Sequence, residues 1–325
     1  SRASDWDKTI FAALTATSTL LKRSEDQIRI KLFLSALLIG YKCIEETPNE
    51  AVLSRVNDFI QSVASLLKSP VKTDLESDGI TELTSVISAA LDATSTLTNN
   101  CISEIHNESN SHKLLLLKLR IAVEQLSLCS YLAFTFEGPG RTQERSPVLY
   151  GVLHRSIQCI RDVLSHSNKQ IQSVALQVIK EMLQKGFGGE SNPFLVFYVG
   201  ELVEDLFLII RHFSQRPSER GEDAPICCGE CLKILMLSQA FTRGSDCQKG
   251  FIHLLLEAFL MILSVSDQSL LQETGDLREL SVKLVSQLVQ SPSSAACIKD
   301  ILLEMSTSQR QSLQDMIRTS VTQGN

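Results

Sequence analysis

The sequence predicts an all-α protein of antiparallel helix pairs stacked one on the next, an α-solenoid. Three observations predict it. Apolar residues recur at three- and four-residue steps through almost all of the 325 residues, which is the period of a helix with one buried face. Turn chemistry is scarce, with 15 Gly and 8 Pro, too little for a sandwich or barrel of many short strands. The periodic stretches are separated by short Pro-, Gly- or charge-rich breaks at Pro48, Ser69-Pro70, 137–147, 186–193, 214–225 and Ser291-Pro292, as exposed connectors are. With 43% hydrophobic and 21% charged residues the chain has enough apolar surface to fold. Aromatics are only 6%, so Leu, Ile, Val and Ala build the core.

Taken in order, helices are expected over 5–22, 25–43, 49–68, 79–99, 111–135, 147–165, 168–185, 194–213, 224–241, 246–264, 275–290, 293–304 and 307–321. The pair at 147–185 is the clearest. Val148, Leu149, Val152, Leu153, Ile157, Ile160 and Leu164 form one stripe, SHSNK is a polar break, and Ile171, Ala175, Ile179 and Met182 form the next stripe. Gly186 closes it as a helix stop. Second helices of successive pairs align on Ile28, Ile171, Ile226 and Leu277. Eight residues on stand Ala36, Ile179, Ile234 and Val285, and eleven on stand Ile39, Met182, Leu237 and Leu288. The last three anchors lie 55 and 51 residues apart, somewhat more than the roughly 40–47 residues of HEAT and armadillo units. Residues 1–135 are read as N-terminal helical repeats, 136–146 as a loop, and 147–325 as C-terminal repeats with a terminal capping helix, all one continuous solenoid. The opening SRASDWDKTI has no Met and no apolar signal core, so a fragment of a longer chain is expected. Leu14, Leu20, Leu21 and Phe33 are then expected to face a preceding repeat.

Charge and cysteine usage narrow the function classes. The net charge is −6, the pI is near 5.6, and no Lys/Arg run interleaves with aromatics, so no nucleic-acid partner is expected. Nine scattered cysteines in a large chain do not form a secreted disulfide framework, and a reducing cytoplasmic setting is expected. Asn107-Glu108-Ser109 is a glycosylation tripeptide that carries no meaning there. The apolar stretches 193–210 and 251–265 contain acids or His253, and the second is too short to span a bilayer. Both read as buried helices, leaving no transmembrane segment but room for peripheral membrane association.

The densest candidate chemistry is APICCGECLKIL (224–235). Cys228 and Cys231 have C-x-x-C spacing, which metal and redox sites both use. Cys227 and Cys231, however, lie one turn apart on a face continued by Ile234, Leu235 and Ser238. Further metal ligands would have to come from Cys247 and His253 across a loop, and no strand precedes the motif. We read the cysteines as small buried hydrophobes. Glu201, Glu204 and Asp205 alternate with Leu202, Val203, Leu206 and Phe207 and read as a solvated stripe; Glu45-Glu46 reads as loop charge. His106, His112, His154, His166, His212 and His253 show no metal-binding pairing in sequence. GFGGE (186–190) follows a helix rather than a strand and has no phosphate-binding Lys after it. No catalytic, cofactor-binding or metal-ligating residue is therefore assigned, no cofactor is expected, and the protein is expected not to be an enzyme. The irregular segments 137–147 and 214–225 are candidate contact or modification sites.

The hairpin 152–186 resembles a HEAT repeat, with Ile171 and Ala175 in the inner positions, although Asn168 and Gln172 stand where the usual Asp and Arg would be. The segment 277–318 resembles the C-terminal end of the SWEETIE family of large HEAT-repeat trafficking proteins. The matching residues are Ile298, Lys299, Ile301, Leu302, Gln309, Arg310, Leu313, Ile317 and Arg318. The resemblance implies a HEAT/armadillo-like fold and a non-enzymatic scaffold working with clathrin adaptor subunits at the trans-Golgi network and endosomes. In plants it also implies a role in carbohydrate homeostasis. Two rivals stand beside it. One is a nuclear-transport or complex-assembly HEAT protein binding basic protein cargo through an acidic concave face. The other is a metal- or redox-linked module centred on Cys228 and Cys231.

Overall fold

The computed structural model describes residues 8–9, 12–16, 50–66, 77–107, 112–137, 147–185, 193–215, 221, 223–268 and 272–323. Among the described residues there is no strand. The helix expected over 5–22 is helical at 8–9 and 12–16, and Leu14 is buried. The helix 25–43, the anchors Ile28, Ala36 and Ile39, and Leu20, Leu21, Phe33, Glu45 and Glu46 lie outside the described residues, as do GFGGE, most of the irregular segment 137–147 and half of 214–225.

The remaining expected helices are all present. They are α1 (Glu50–Leu66), α2 (Ser77–Asn107), α3 (Lys113–Glu137), α4 (Pro147–Leu164), α5 (Lys169–Lys185), α6 (Pro193–Gln215), α7 (Ala224–Phe241), α8 (Asp246–Gln268), α9 (Gln272–Gln290), α10 (Pro292–Glu304) and α11 (Thr307–Gln323). The largest difference from expectation is α2, which runs through Asn107. Thr94, Thr98, Cys101 and Ile105 are buried and carry its inner face on past residue 99.

Two compact units are present, one of residues 1–166 with 185–194, the other of 167–184 with 195–325. In the first, α3 packs against α1, α2 and α4, and α2 also packs against α4. Its central part is buried all round: Ile121, Ala122, Val123, Leu126, Cys129 and Ala133 are fully enclosed. Small hydroxyl residues let neighbours come close. Ser127 and Ser130 donate to the carbonyls of Val123 and Leu126 on their own helix, and Ser130 Oγ meets Ser156 Oγ of α4 at 2.7 Å. Each hydroxyl is satisfied internally, so burying it carries no unpaired-group cost.

In the second unit α7 packs against α8 and α9, α8 against α9 and α10, and α9 against α10 and α11, while α11 also reaches α8. Contact with the next helix and the next but one is the signature of stacked helix pairs. This is the all-α, solenoid-type architecture that the apolar period predicts. Gly244, at φ 79°, makes the left-handed turn between α7 and α8. Its N–H donates to Gln248 Oε1, and Gln248 Nε2 reaches Gln239, Ser293 and Ser294. The result is a buried polar clasp joining three helix ends. By length and composition α7 and residues 246–265 of α8 could cross a membrane, but 56% and 50% of these stretches is buried inside the protein.

Candidate functional site

α7 answers the question its cysteines raise. Cys227, Cys228 and Cys231 are 1%, 0% and 0% exposed. Cys227 Sγ donates to the Lys169 carbonyl at 3.5 Å, seating α7 on the first turn of α5. Burial pushes the Cys227 thiol up to about 11 and the Cys231 thiol well above 9. Both are protonated thiols at neutral pH, the opposite of what a nucleophile or metal ligand needs. Among the described residues no three His, Cys, Asp or Glu side chains gather where they could hold a metal ion. Gly229, between the cysteines, faces the leucines of α9. A Cβ there would stand 3.3 Å from Leu280 Cδ2 and 3.5 Å from Leu277 Cδ2 of α9.

One register reading needs correcting. Ile171, Ile179, Ile234, Leu277, Val285 and Leu288 are buried as aligned, but Ile226 is 58% exposed and Leu237 half-buried. α7 is apolar almost all round, with Glu230 and Lys233 its only charges, so no single stripe fixes its rotation in sequence. Packing against its neighbouring helices fixes it instead, and leaves Cys227, Cys231, Ile234, Leu235 and Ser238 buried. The two charges are partnered: Glu230 Oε2 meets Lys180 Nζ of α5 at 2.5 Å as an ion pair, and Glu230 Oε1 accepts from Lys233 at 3.2 Å. Lys180 and Glu230 are largely enclosed, at 14% and 12%.

The acidic stripe on α6 also divides. Glu201 and Glu204 are exposed as expected, but Asp205 is only 8% exposed. It adjoins Leu202 and Leu206, both fully enclosed, and the rotation that buries them carries Asp205 inward. Of the histidines, His154 stacks its ring edge against Tyr150, and His253 Nδ1 lies 3.5 Å from Glu257 on α8. The structure brings His106 and His166 together, which nothing in their spacing shows. Their Nε2 atoms are 3.2 Å apart. Burial and the neighbouring His106 hold His166 below its ordinary value.

The two departures from HEAT signature residues keep structural work. Asn168 Oδ1 accepts from the N–H groups of Gln170 and Ile171, capping α5 as an Asp would. Gln172 is buried and its Oε1 accepts from Lys169 Nζ.

The ending at 277–318 resolves into a cap between two helices. Arg310 Nε donates to the Leu302 carbonyl at 2.8 Å, and its Nη2 to the carbonyls of Leu303 and Met305 at 3.4 and 3.1 Å. The guanidinium thus covers the carbonyls at the negative end of α10. Gln309 N–H donates to Ser306 Oγ, and that hydroxyl donates back to Gln309 Oε1, closing the start of α11. Ile298, Ile301 and Leu313 are buried, whereas Lys299 and Arg318 face solvent. Of the residues matched in sequence, Arg310 and Gln309 are the ones that form the joint between α10 and α11. Among the described residues Val148, Tyr150, Ile226, Leu303 and Val321 are large apolar side chains left exposed.

No protein-family model matches the chain. It is 33% identical over 332 aligned positions to Protein SWEETIE of Arabidopsis thaliana. The alignment covers 98% of this chain and 15% of that relative, so the chain spans about one seventh of the curated relative it matches. The similarity thus extends well beyond the ending that first points to it, and across nearly its whole length this chain resembles the SWEETIE family.

Proposed function

We propose that this chain is part of a non-enzymatic protein-interaction scaffold, peripheral to membranes, that works with clathrin adaptor subunits in traffic at the trans-Golgi network and endosomes. In a plant this role would extend to carbohydrate homeostasis. The observation that carries the reading is the similarity to SWEETIE over 98% of the chain, joined to the trafficking role that the resemblance of the ending implies. The helical architecture supports it, because stacked helix pairs offer extended surfaces to partners. The chemistry of the cysteines supports it too: the most reactive-looking motif is enclosed and protonated. The rival transport reading needs uncompensated acids on the second helices of pairs. Glu230 of α7 is instead neutralised by Lys180 and Lys233.

The experiment is proximity labelling in cells with the full-length protein. Enrichment of clathrin adaptor subunits is the expected result. Labelling dominated by import cargo or nuclear-pore proteins would overturn the trafficking reading and put the transport rival in its place. Deleting residues 277–325 to locate the contact would strip α9 to α11 from α7 and α8, so the exposed Lys299 and Leu303 are better replaced, as Lys299→Glu and Leu303→Asp.

A further inference from the structure

We propose that His106 and His166 form a binding site for a divalent first-row transition-metal ion of the zinc class, clamping the end of α2 to the end of α4. His106 lies in the last turn of α2 and is exposed; His166 lies in the turn that follows α4 and is half-buried. The residues are 60 apart in sequence, and the packing of α2 on α4 brings them together.

The geometry of the rings carries the argument. The Nε2 atoms are 3.2 Å apart, the ring centres 5.0 Å, and the ring planes are inclined by 41°. Two imidazoles sharing one proton in a straight hydrogen bond would put their centres about 5.4 Å apart, taking about 1.1 Å from ring centre to nitrogen. Two imidazoles on one metal, with metal–nitrogen bonds of about 2.0–2.1 Å, give about 3.4 Å between nitrogens and about 5.2 Å between centres at the tetrahedral angle. At a right angle the same bonds give about 2.9 and about 4.5 Å. Both measured distances fall between these two metal geometries, and the centres are closer than a straight hydrogen bond between the two nitrogens would place them.

The electronic state suits the task. A ligating imidazole must be neutral, with its proton on the other nitrogen. Each ring meets this by carrying its proton on Nδ1 and leaving Nε2 free of hydrogen. Metal entry requires only that the proton shared between the Nε2 atoms leave to solvent while the ring that held it takes one at Nδ1, with no net change in charge on the rings. Imidazole nitrogen selects zinc, cobalt, nickel or copper over magnesium and calcium. With two protein ligands, water completes the coordination.

The test is titration of the full chain with cobalt(II), whose visible bands report the ligand set. A 1:1 saturating signal with a micromolar midpoint is expected, without a near-ultraviolet thiolate charge-transfer band, and zinc(II) should displace the cobalt. His106→Gln and His166→Gln should each weaken binding at least tenfold with the helical circular dichroism unchanged, and His112→Gln should leave it within twofold. No saturation below millimolar cobalt would overturn the proposal. So would a thiolate band, which would move the metal to the cysteines, or a signal that survives both His106→Gln and His166→Gln.

Discussion

Gly229 lies where α9 comes close to α7, and it makes the packing of the second unit testable. A Cβ at 229 would stand 3.3 Å from Leu280 Cδ2 and 3.5 Å from Leu277 Cδ2. Alanine regains about 0.8–1.0 kcal/mol of helix preference. Its methyl meets only the ends of leucine side chains, which can shift by a few tenths of an ångström at comparable cost. Gly229→Ala should therefore change stability by no more than about 0.5 kcal/mol. Gly229→Val adds two γ-carbons with one favoured rotamer in a helix, pressed against the same leucines. Overpacking of this kind costs about 1–3 kcal/mol, and valine recovers less than half a kcal/mol of helix preference, so a net loss of about 1–2.5 kcal/mol is expected. At about 2–4 °C per kcal/mol the melting temperature should fall by about 2–10 °C. Gly200→Ala is the control: position 200 is exposed with nothing within 4 Å of an added Cβ, and it should gain about 0.5–1 kcal/mol. Thermal and urea denaturation of the three variants reads the result. A Gly229→Val protein that melts with the wild type would refute the close approach of α7 to α9.

Among the cysteines of the described residues, thiol alkylation of the native protein should reach Cys247 first and Cys159 and Cys297 more slowly, with Cys227, Cys228 and Cys231 modified only after denaturation; mass spectrometry finding early label on Cys228 or Cys231 would revive a redox or metal role for α7. Stability should fall as the pH rises above 9. Burial holds the folded-state thiols of Cys101 and Cys227 at about 11 and Cys129 at about 12 against an ordinary 9.0, so the unfolded chain releases protons that the folded chain keeps. Urea midpoints measured from pH 8 to 11 should show this loss, and Cys129→Ala should reduce it. Arg310→Met keeps the aliphatic stem but removes three hydrogen bonds to carbonyls at the end of α10, and should cost about 1–2 kcal/mol. Arg310→Lys should recover less than half, because an ammonium cannot fork across three carbonyls; full recovery in urea denaturation would show that charge alone matters.

The all-α class, the helices from 50 onward and their order are written in the sequence by itself, because a 3.6-residue apolar period broken by Pro and Gly is a local signal that every turn repeats. The same signal marks most of the buried stripe, from Ile171 and Ile179 to Leu277, Val285 and Leu288. It fails at Ile226, where a helix apolar nearly all round has no stripe to read and neighbouring helices choose its rotation. At Asp205 it fails for a related reason, since the turn of α6 that encloses Leu202 and Leu206 takes a charge inward with them. The ending at 298–318 was legible as a pattern, but Arg310 only becomes a cap once α11 folds back over the last carbonyls of α10. His106 and His166 could not be paired from sequence at all. Periodicity describes each helix relative to its own axis, whereas the distance between two rings depends on how α2 and α4 pack, and that packing is a property of the assembled helices alone.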